Sequence, residues 1–341
     1  MKLTRTLFAT LAAGALALAG CSAESADTSA GASSDASGNG LNIVASTSIW
    51  GDVASAVVTD QDATITPIIS GNTVDPHHFE PAAADLAKAA EADIVVVGGG
   101  GYDAWLYDVV DEEKIVHALP LIEHSHAHDH DHGHAHDHDH GHAHDHEHDE
   151  AHADENAHDA HADHEGHDHG PIEMIDGNEH IWYDTDAVEY VAEEIETAAK
   201  AIDPNIEADA QPVLDRMASM DALIKELPAA QVTQSESVAD YIIHDSELTD
   251  VTPESYRKAT LSETEPAAAD LAAFLETLNS EPVDMLIFNP QTATDTATRI
   301  RDAAEENGIA IVEIAETPEE GTNFLDYFED RVNALSEAAK A

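Results

Sequence analysis

Four short stretches of this chain carry side chains suited to holding a divalent metal, and each falls in a loop or at the end of a regular element. The segment "DPHHFEP" at 75–81 places His77, His78 and Glu80 between a predicted strand and a predicted helix. "GNEHIWYD" at 177–184 contributes His180, and "TQSESVADY" at 233–241 places Glu236 after a strand, at the opening of a helix. "EIAETPEEG" at 313–321 offers Glu313, Glu316, Glu319 and Glu320 after the last strand. Imidazole nitrogen and carboxylate oxygen together suit borderline ions such as Zn2+ or Mn2+. Cys21 is the only cysteine, so neither a thiolate ligand at these sites nor an internal disulfide is available.

A fifth stretch is far richer in histidine. Residues 123–170 hold 19 of the 24 histidines and fifteen acids, without a single Lys or Arg. His126, His128, His130, His132, His134, His136, His138 and His140 alternate there with Asp, Ala and Gly. That alternation leaves no apolar period from which to build a core. Many interchangeable imidazoles collect several ions loosely, with no single geometry and therefore little selectivity. The tract reads as an auxiliary low-affinity metal store, against the bland alternative of low-complexity sequence that binds nothing. The selective site belongs elsewhere.

The elements that must position the four loops follow an α/β rhythm. "LNIVAST", "ATITPII", "DIVVVGG" and "KIVHAL" read as strands, with helices predicted over 48–58, 81–92 and 101–110. Late in the chain the rhythm returns, with strands at "VDMLIFN" and "IAIVEIA" and helices over 266–279, 292–307 and 323–339. Short strands that are apolar throughout and alternate with helices indicate parallel sheets covered on both faces. Between the halves, Ile206, Val213, Leu214, Met217, Leu223, Ile224 and Leu227 keep helical spacing, bracketed by Pro204 and Pro228. The expected architecture is two α/β lobes, at 41–203 and 229–341, each with a mainly parallel sheet covered by helices. One long rigid helix over 204–228 joins them, and residues 123–170 form an insert in the first lobe. Two of the four loops fall in each lobe, and loops at the carboxyl ends of parallel strands are where open α/β sheets bind ligands.

Ahead of the lobes, Lys2 and Arg5 precede the apolar run "LFATLAAGALALA", which reads as a signal peptide over 1–20. The run ends in "LAGC", which resembles a bacterial lipobox and makes Cys21 the lipid-carrying residue of an extracytoplasmic, membrane-anchored protein. An ordinary cleaved secretory signal is the alternative. Small polar residues over 21–40 read as a flexible tether.

The formal net charge of −57 excludes nucleic acid as a partner and attracts cations, although a saline habitat would also account for it. "GGGG" at 98–101 follows a strand, but a dinucleotide fingerprint needs glycine where Asp103 stands, so a permissive turn is the better reading. A zinc hydrolase would need His-Glu-x-x-His, a spacing that neither "HEGHDH" nor "HEHDE" has, so an enzyme is not expected. His78, His117 and His244 read as structural or outward-facing. Trp50, Trp105 and Trp182 read as core or cleft wall. Asn289 and Gln291 in "FNPQT" either orient ligands from behind or simply form a turn.

On these motifs the chain resembles the metal-binding solute receptors of bacterial ABC transporters, the ZnuA/TroA type of cluster A-I, over essentially all of residues 41–338. "DPHHFEP" is similar to the family's D-P-H-x-Y/F-E-P, which implies His77 as the first ligand. "HIWYD" is similar to H-x-W-x-D/S and implies His180. "SESVADY" is similar to the segment that supplies either His or Glu, here Glu236. The fourth ligand is usually an Asp after the final strand, a position matched here by Glu316 with other glutamates close by. The His-rich insert also occurs in zinc-specific members. The resemblance implies a monomeric receptor that captures Zn2+, or alternatively Mn2+, between its lobes and delivers it to an ABC permease. A metal-buffering surface lipoprotein without a transport role is the remaining alternative.

Overall fold

The computed structural model describes residues 40–106, 109–121, 172, 174–280 and 282–341. The signal peptide, Cys21, nearly all of the tether and the His/Asp-rich insert with its auxiliary histidines lie outside the described residues.

The first lobe is built from β1 (Asn42–Thr47), α1 (Ser48–Val57), β2 (Thr64–Ile69), α2 (Ala83–Glu91), β3 (Ile94–Val97) and β4 (Ile115–His117). Two helices follow, α3 (Thr185–Ile202) and α4 (Gln211–Lys225). The second lobe comprises β5 (Ala230–Gln234), α5 (Asp240–His244), β6 (Leu248–Asp250), α6 (Glu254–Leu261), α7 (Ala268–Ser280), β7 (Met285–Phe288), α8 (Asp295–Glu306), β8 (Ala310–Glu313) and α9 (Phe324–Ala338). Each sheet has four strands, in the orders β2-β1-β3-β4 and β6-β5-β7-β8, and every pairing is parallel. The same winding thus occurs twice, each time with a switch in strand order between its first and third strands.

Parallel strands in such a layer are buried on both faces, and the side chains sort with period two. Ile43, Ala45, Ile94 and Val96 point to one side, into the same core as Val232, Met285, Ile287 and Val312 from the second sheet. Val44, Val95 and Val97 point the other way and pack with Ala89 of α2. In the second lobe Leu286 and Phe288 face outward onto Tyr256, Phe274 and Ile300. The inner core is continuous between the sheets, because α1, α3, α4 and α9 supply Trp50, Val191, Met217 and Phe328 to it.

Two sequence expectations shift. The inter-lobe helix does not run over 204–228, since α4 spans only Gln211–Lys225 and a turn with an isolated bridge between Val58 and Ala208 precedes it. Pro212 explains the start: it sits in the first turn of α4, where a missing N–H costs nothing, whereas a helix begun near 204 would carry it in the interior. The helix α3 ahead of that turn was not anticipated. Over 101–110 the described residues form a single 3-10 turn at Ala104–Leu106 instead of a helix. The Asp103 carboxylate accepts from Gly98 and Gly99 N–H at 2.8 and 3.1 Å and draws the chain into a tight turn. Gly99 has φ +85°, and a Cβ there would lie 2.0 Å from the Leu119 carbonyl oxygen, so only glycine fits.

Candidate metal centre

His77, His180, Glu236 and Glu316 converge, each offering one ligand atom, with those atoms all within 4.8 Å of one another. Each is placed by a local device. Asp75 caps the 3-10 turn Pro76–His78, accepting from His77 N at 3.0 Å, and Pro76 presets the first residue of that turn. His77 therefore turns inward, while His78 stays exposed, paired with Asp75 at 2.9 Å. His180 opens the 3-10 turn Ile181–Tyr183 after a reversal at Asp176 and Gly177, both at positive φ. Glu236 follows β5, and Glu316 follows β8 by three residues. Both lie at the carboxyl ends of parallel strands, as open α/β sheets require of a ligand site.

The two imidazoles meet edge to face with ring centroids 5.6 Å apart. His180 Nδ1 lies 2.7 Å from Asn178 Oδ1, and His77 Nδ1 lies 3.2 Å from Glu263 Oε1. A ring held at Nδ1 by an acceptor presents the Nε2 lone pair, the arrangement common to metal-ligating histidines. In both rings Nε2 is buried and makes no hydrogen bond within the described residues. His77 Nε2 lies 3.5 Å from Glu316 Oε2 and 3.9 Å from Glu236 Oε1.

Behind the carboxylates stand donors. Tyr102 OH donates to Glu316 Oε2 at 2.9 Å, and Asn289 Nδ2 reaches Glu236 Oε2 at 2.7 Å and Glu316 Oε1 at 3.2 Å. The Thr292 hydroxyl donates to the same Glu236 Oε2. Trp182 forms the floor, its ring 5.3 Å from His180 and 4.9 Å from Tyr102. Gln291 ties the lobes together beside the site, donating to the Val74 carbonyl at 2.7 Å and accepting from Thr317 N at 3.0 Å.

Burial and mutual charge set the protonation of the cluster. Burial alone would lower the pKa of His77, but the Glu263 hydrogen bond and the Glu316 and Glu236 carboxylates outweigh it and raise the pKa to about 10. Burial raises Glu316 to about 8, reinforced by Glu236 and opposed by His77. Burial, then the neighbouring His77, pushes His180 well below the usual histidine range and keeps it neutral. The cluster can therefore present two imidazole nitrogens and two carboxylates to a dication once its protons leave. Two cavities of about 310 and 340 Å³ meet at His77, Glu236, Thr260 and Glu263 and lead from the cluster to the surface.

The remaining candidates lie apart from the cluster. Glu80 is exposed, and Glu313 is exposed and paired with Arg301 at 3.0 Å. Glu319 and Glu320 line a different cavity with Asp52. His117 sits on β4, and His244 is exposed beside Asp245 at 2.8 Å. Tyr102, Asn178 and Glu263 support the cluster without having been singled out in the sequence. Only the placement of Tyr102 after a strand at a switch point and of Asn178 two residues before a candidate ligand could have signalled them.

Two parallel α/β lobes thus hold an imidazole–carboxylate cluster between them that could take a metal ion. Residues 43–338 match the family described as ZnuA, zinc-uptake complex component A, periplasmic, and the chain belongs to it. The manganese-binding lipoprotein MntA of Halalkalibacterium halodurans is 35% identical over 118 residues, 32% of this chain and 37% of that protein, so the match spans little more than a third of the relative's length. A crystal structure of ZnuA superposes with TM-score 0.58 at 16% identity, covering 88% of this chain and 98% of that one. The binding protein FpvC from Pseudomonas aeruginosa in complex with Mn2+ superposes with TM-score 0.55 at 16% identity, covering 88% and 97%. These two superpositions concern the fold alone.

Proposed function

We propose that this protein captures one Zn2+ ion outside the cytoplasmic membrane through His77, His180, Glu236 and Glu316 and delivers it to an ABC permease. The observation that carries the reading is the pair of buried Nε2 atoms without hydrogen bonds, set beside two carboxylates from the other lobe, Glu316 buried and Glu236 partly so. A tetrahedral ion with bonds of about 2.1 Å needs its donors about 3.4 Å apart. The His77–Glu316 pair, at 3.5 Å, already has that spacing. The donor atoms within 4.8 Å come to it by small side-chain rotations. An N/O shell of this kind holds Zn2+ more tightly than Mn2+ by the general affinity order.

Mn2+ is the second reading, favoured by the manganese-binding name of the MntA relative. The carrier role has no place for catalysis. Cys21 carries the lipid that anchors the protein as a monomer at the membrane, and residues 124–169 gather ions near the cleft, raising their local concentration.

Metal analysis of the chain with and without residues 124–169 tests the reading. Removal of the tract is expected to lower the number of ions bound and leave one tightly held ion per chain. Loss of all tight binding would move the site into the tract. Metal uptake by cells lacking the gene, restored by the intact chain and not by His180→Ala, separates transport from buffering.

A further inference from the structure

We propose that Thr317 and Gln291 are positioning residues for His77: from the second lobe they hold the loop that carries this ligand, and so set its distance to Glu316. The proposal rests on the four-residue shell assigned above. The loop leaves β2 at Ile69 and enters the 3-10 turn Pro76–His78. No regular element covers Gly71–Val74, and among the described residues the hydrogen bonds that reach this stretch both come from the other lobe. Thr317 Oγ1 lies 2.9 Å from the Gly71 carbonyl oxygen, and Gln291 Nε2 lies 2.7 Å from that of Val74. The backbone also approaches the second lobe closely there. Gly71 has φ +72°, and a Cβ on it would lie 3.3 Å from Glu320.

The partners at each end of the Gln291 amide fix its direction. One end meets the Thr317 backbone N–H at 3.0 Å and is therefore the oxygen, whereas the other meets the Val74 carbonyl and is therefore the nitrogen. Thr317 has one hydroxyl hydrogen and two acceptors in reach, Gly71 O at 2.9 Å and Gln291 Oε1 at 3.1 Å. Gln291 Oε1 is already supplied by the Thr317 N–H, while Gly71 O has no other donor among the described residues, so the hydroxyl donates to Gly71. Gly71 is buried, and a buried carbonyl that loses its donor is costly, so the loop stays where Thr317 holds it. Both clamps are tied to the other ligands. Thr317 is fully buried and directly follows Glu316. Gln291 N donates at 2.9 Å to Oδ1 of Asn289, whose Nδ2 reaches Glu236 and Glu316. The chain segments that carry the second-lobe carboxylates thus grip the loop that carries His77, and the 3.5 Å spacing from His77 Nε2 to Glu316 Oε2 follows from that grip.

Zn2+ affinity of the full chain, measured by competition against a chelator, tests the proposal in a mutant cycle. Thr317→Val removes the hydroxyl at nearly constant shape, and Thr317→Ser keeps it. Thr317→Val is expected to weaken binding by about tenfold, the lower end of the effect of outer partners on metal affinity. Thr317→Ser is expected to bind as the unaltered chain does. In a chain that already carries His77→Ala, Thr317→Val is expected to cost nothing further, because the residue it positions is gone. Unchanged affinity in Thr317→Val, or an equal loss in Thr317→Ser, overturns the proposal. So does a loss that persists beside His77→Ala, which would mean that Thr317 acts through its neighbour Glu316. Gln291 is only half-buried, so Gln291→Leu decides the question by the same pair of measurements where Thr317→Val fails to fold. All of these outcomes leave the four-residue shell standing. Unchanged affinity in His77→Ala alone would overturn the shell and the proposal together.

Discussion

Tyr102 and Glu316 lie 214 residues apart in the chain and share a hydrogen bond of 2.9 Å that crosses from the first lobe to the second. Glu316 has no exposed surface, so its charge depends on the donors around it. Tyr102→Phe removes one of them without changing shape. The expected result is a loss of metal affinity of about 10–100-fold, read by competition against a chelator, with the fold unchanged by circular dichroism. Unchanged affinity would mean that the tyrosine only fills space.

Each ligand contributes to one small shell, so alanine at His77, His180 or Glu236 is expected to cost more than about a hundredfold in affinity, beyond the effect of a supporting residue. Glu316→Ala should cost as much. The nearby glutamates do not replace it, because Glu313 is engaged with Arg301 and Glu319 and Glu320 line a separate cavity. Near-normal binding by Glu316→Ala would remove it from the shell.

Acidification should weaken binding, and the sign follows from the groups themselves. In the ion-free site His77 titrates at about 10 and Glu316 at about 8, so both retain protons at neutral pH. The ion requires neutral imidazole and ionised carboxylate, so binding expels protons and affinity rises with pH, by about tenfold per unit for each proton released. Calorimetry in two buffers of different ionisation enthalpy counts those protons. A count of zero at pH 7 would contradict the protonation pattern.

The continuous core predicts a mechanical property. Phe328 of α9 is fully buried, stacked on Phe324 at 5.9 Å and edge-on to Tyr183 at 5.2 Å. Phe328→Ala is expected to cost about 3–5 kcal/mol, and both lobes should melt together in one lowered transition. Two separated transitions in a thermal scan would show that the lobes fold independently.

The α/β rhythm was legible because strands buried on both faces must be apolar throughout, as "IVVV" of β3 and "MLIF" of β7 are. His77 and His180 were legible because short motifs fix their own turns, through Asp75 in one case and Asn178 in the other. Of their supports, Asn289 in "FNPQT" was open to either role, whereas Glu263 and Tyr102 were hidden, because they reach the cluster from sites 186 and 214 residues away from their partners. No local pattern encodes such meetings. The start of α4 was written in Pro212, but the apolar spacing that runs past it at Ile206 drew the helix too long, since Ile206 packs on the core from the preceding turn.

Anomalous diffraction at the zinc edge from crystals of the full chain tests the central claim most directly. One strong peak is expected between the lobes, about 2.0–2.2 Å from Nε2 of His77, Nε2 of His180 and carboxylate oxygens of Glu236 and Glu316. An ion held instead by His78 or His244, or Glu236 turned to solvent beside an occupied site, would contradict it.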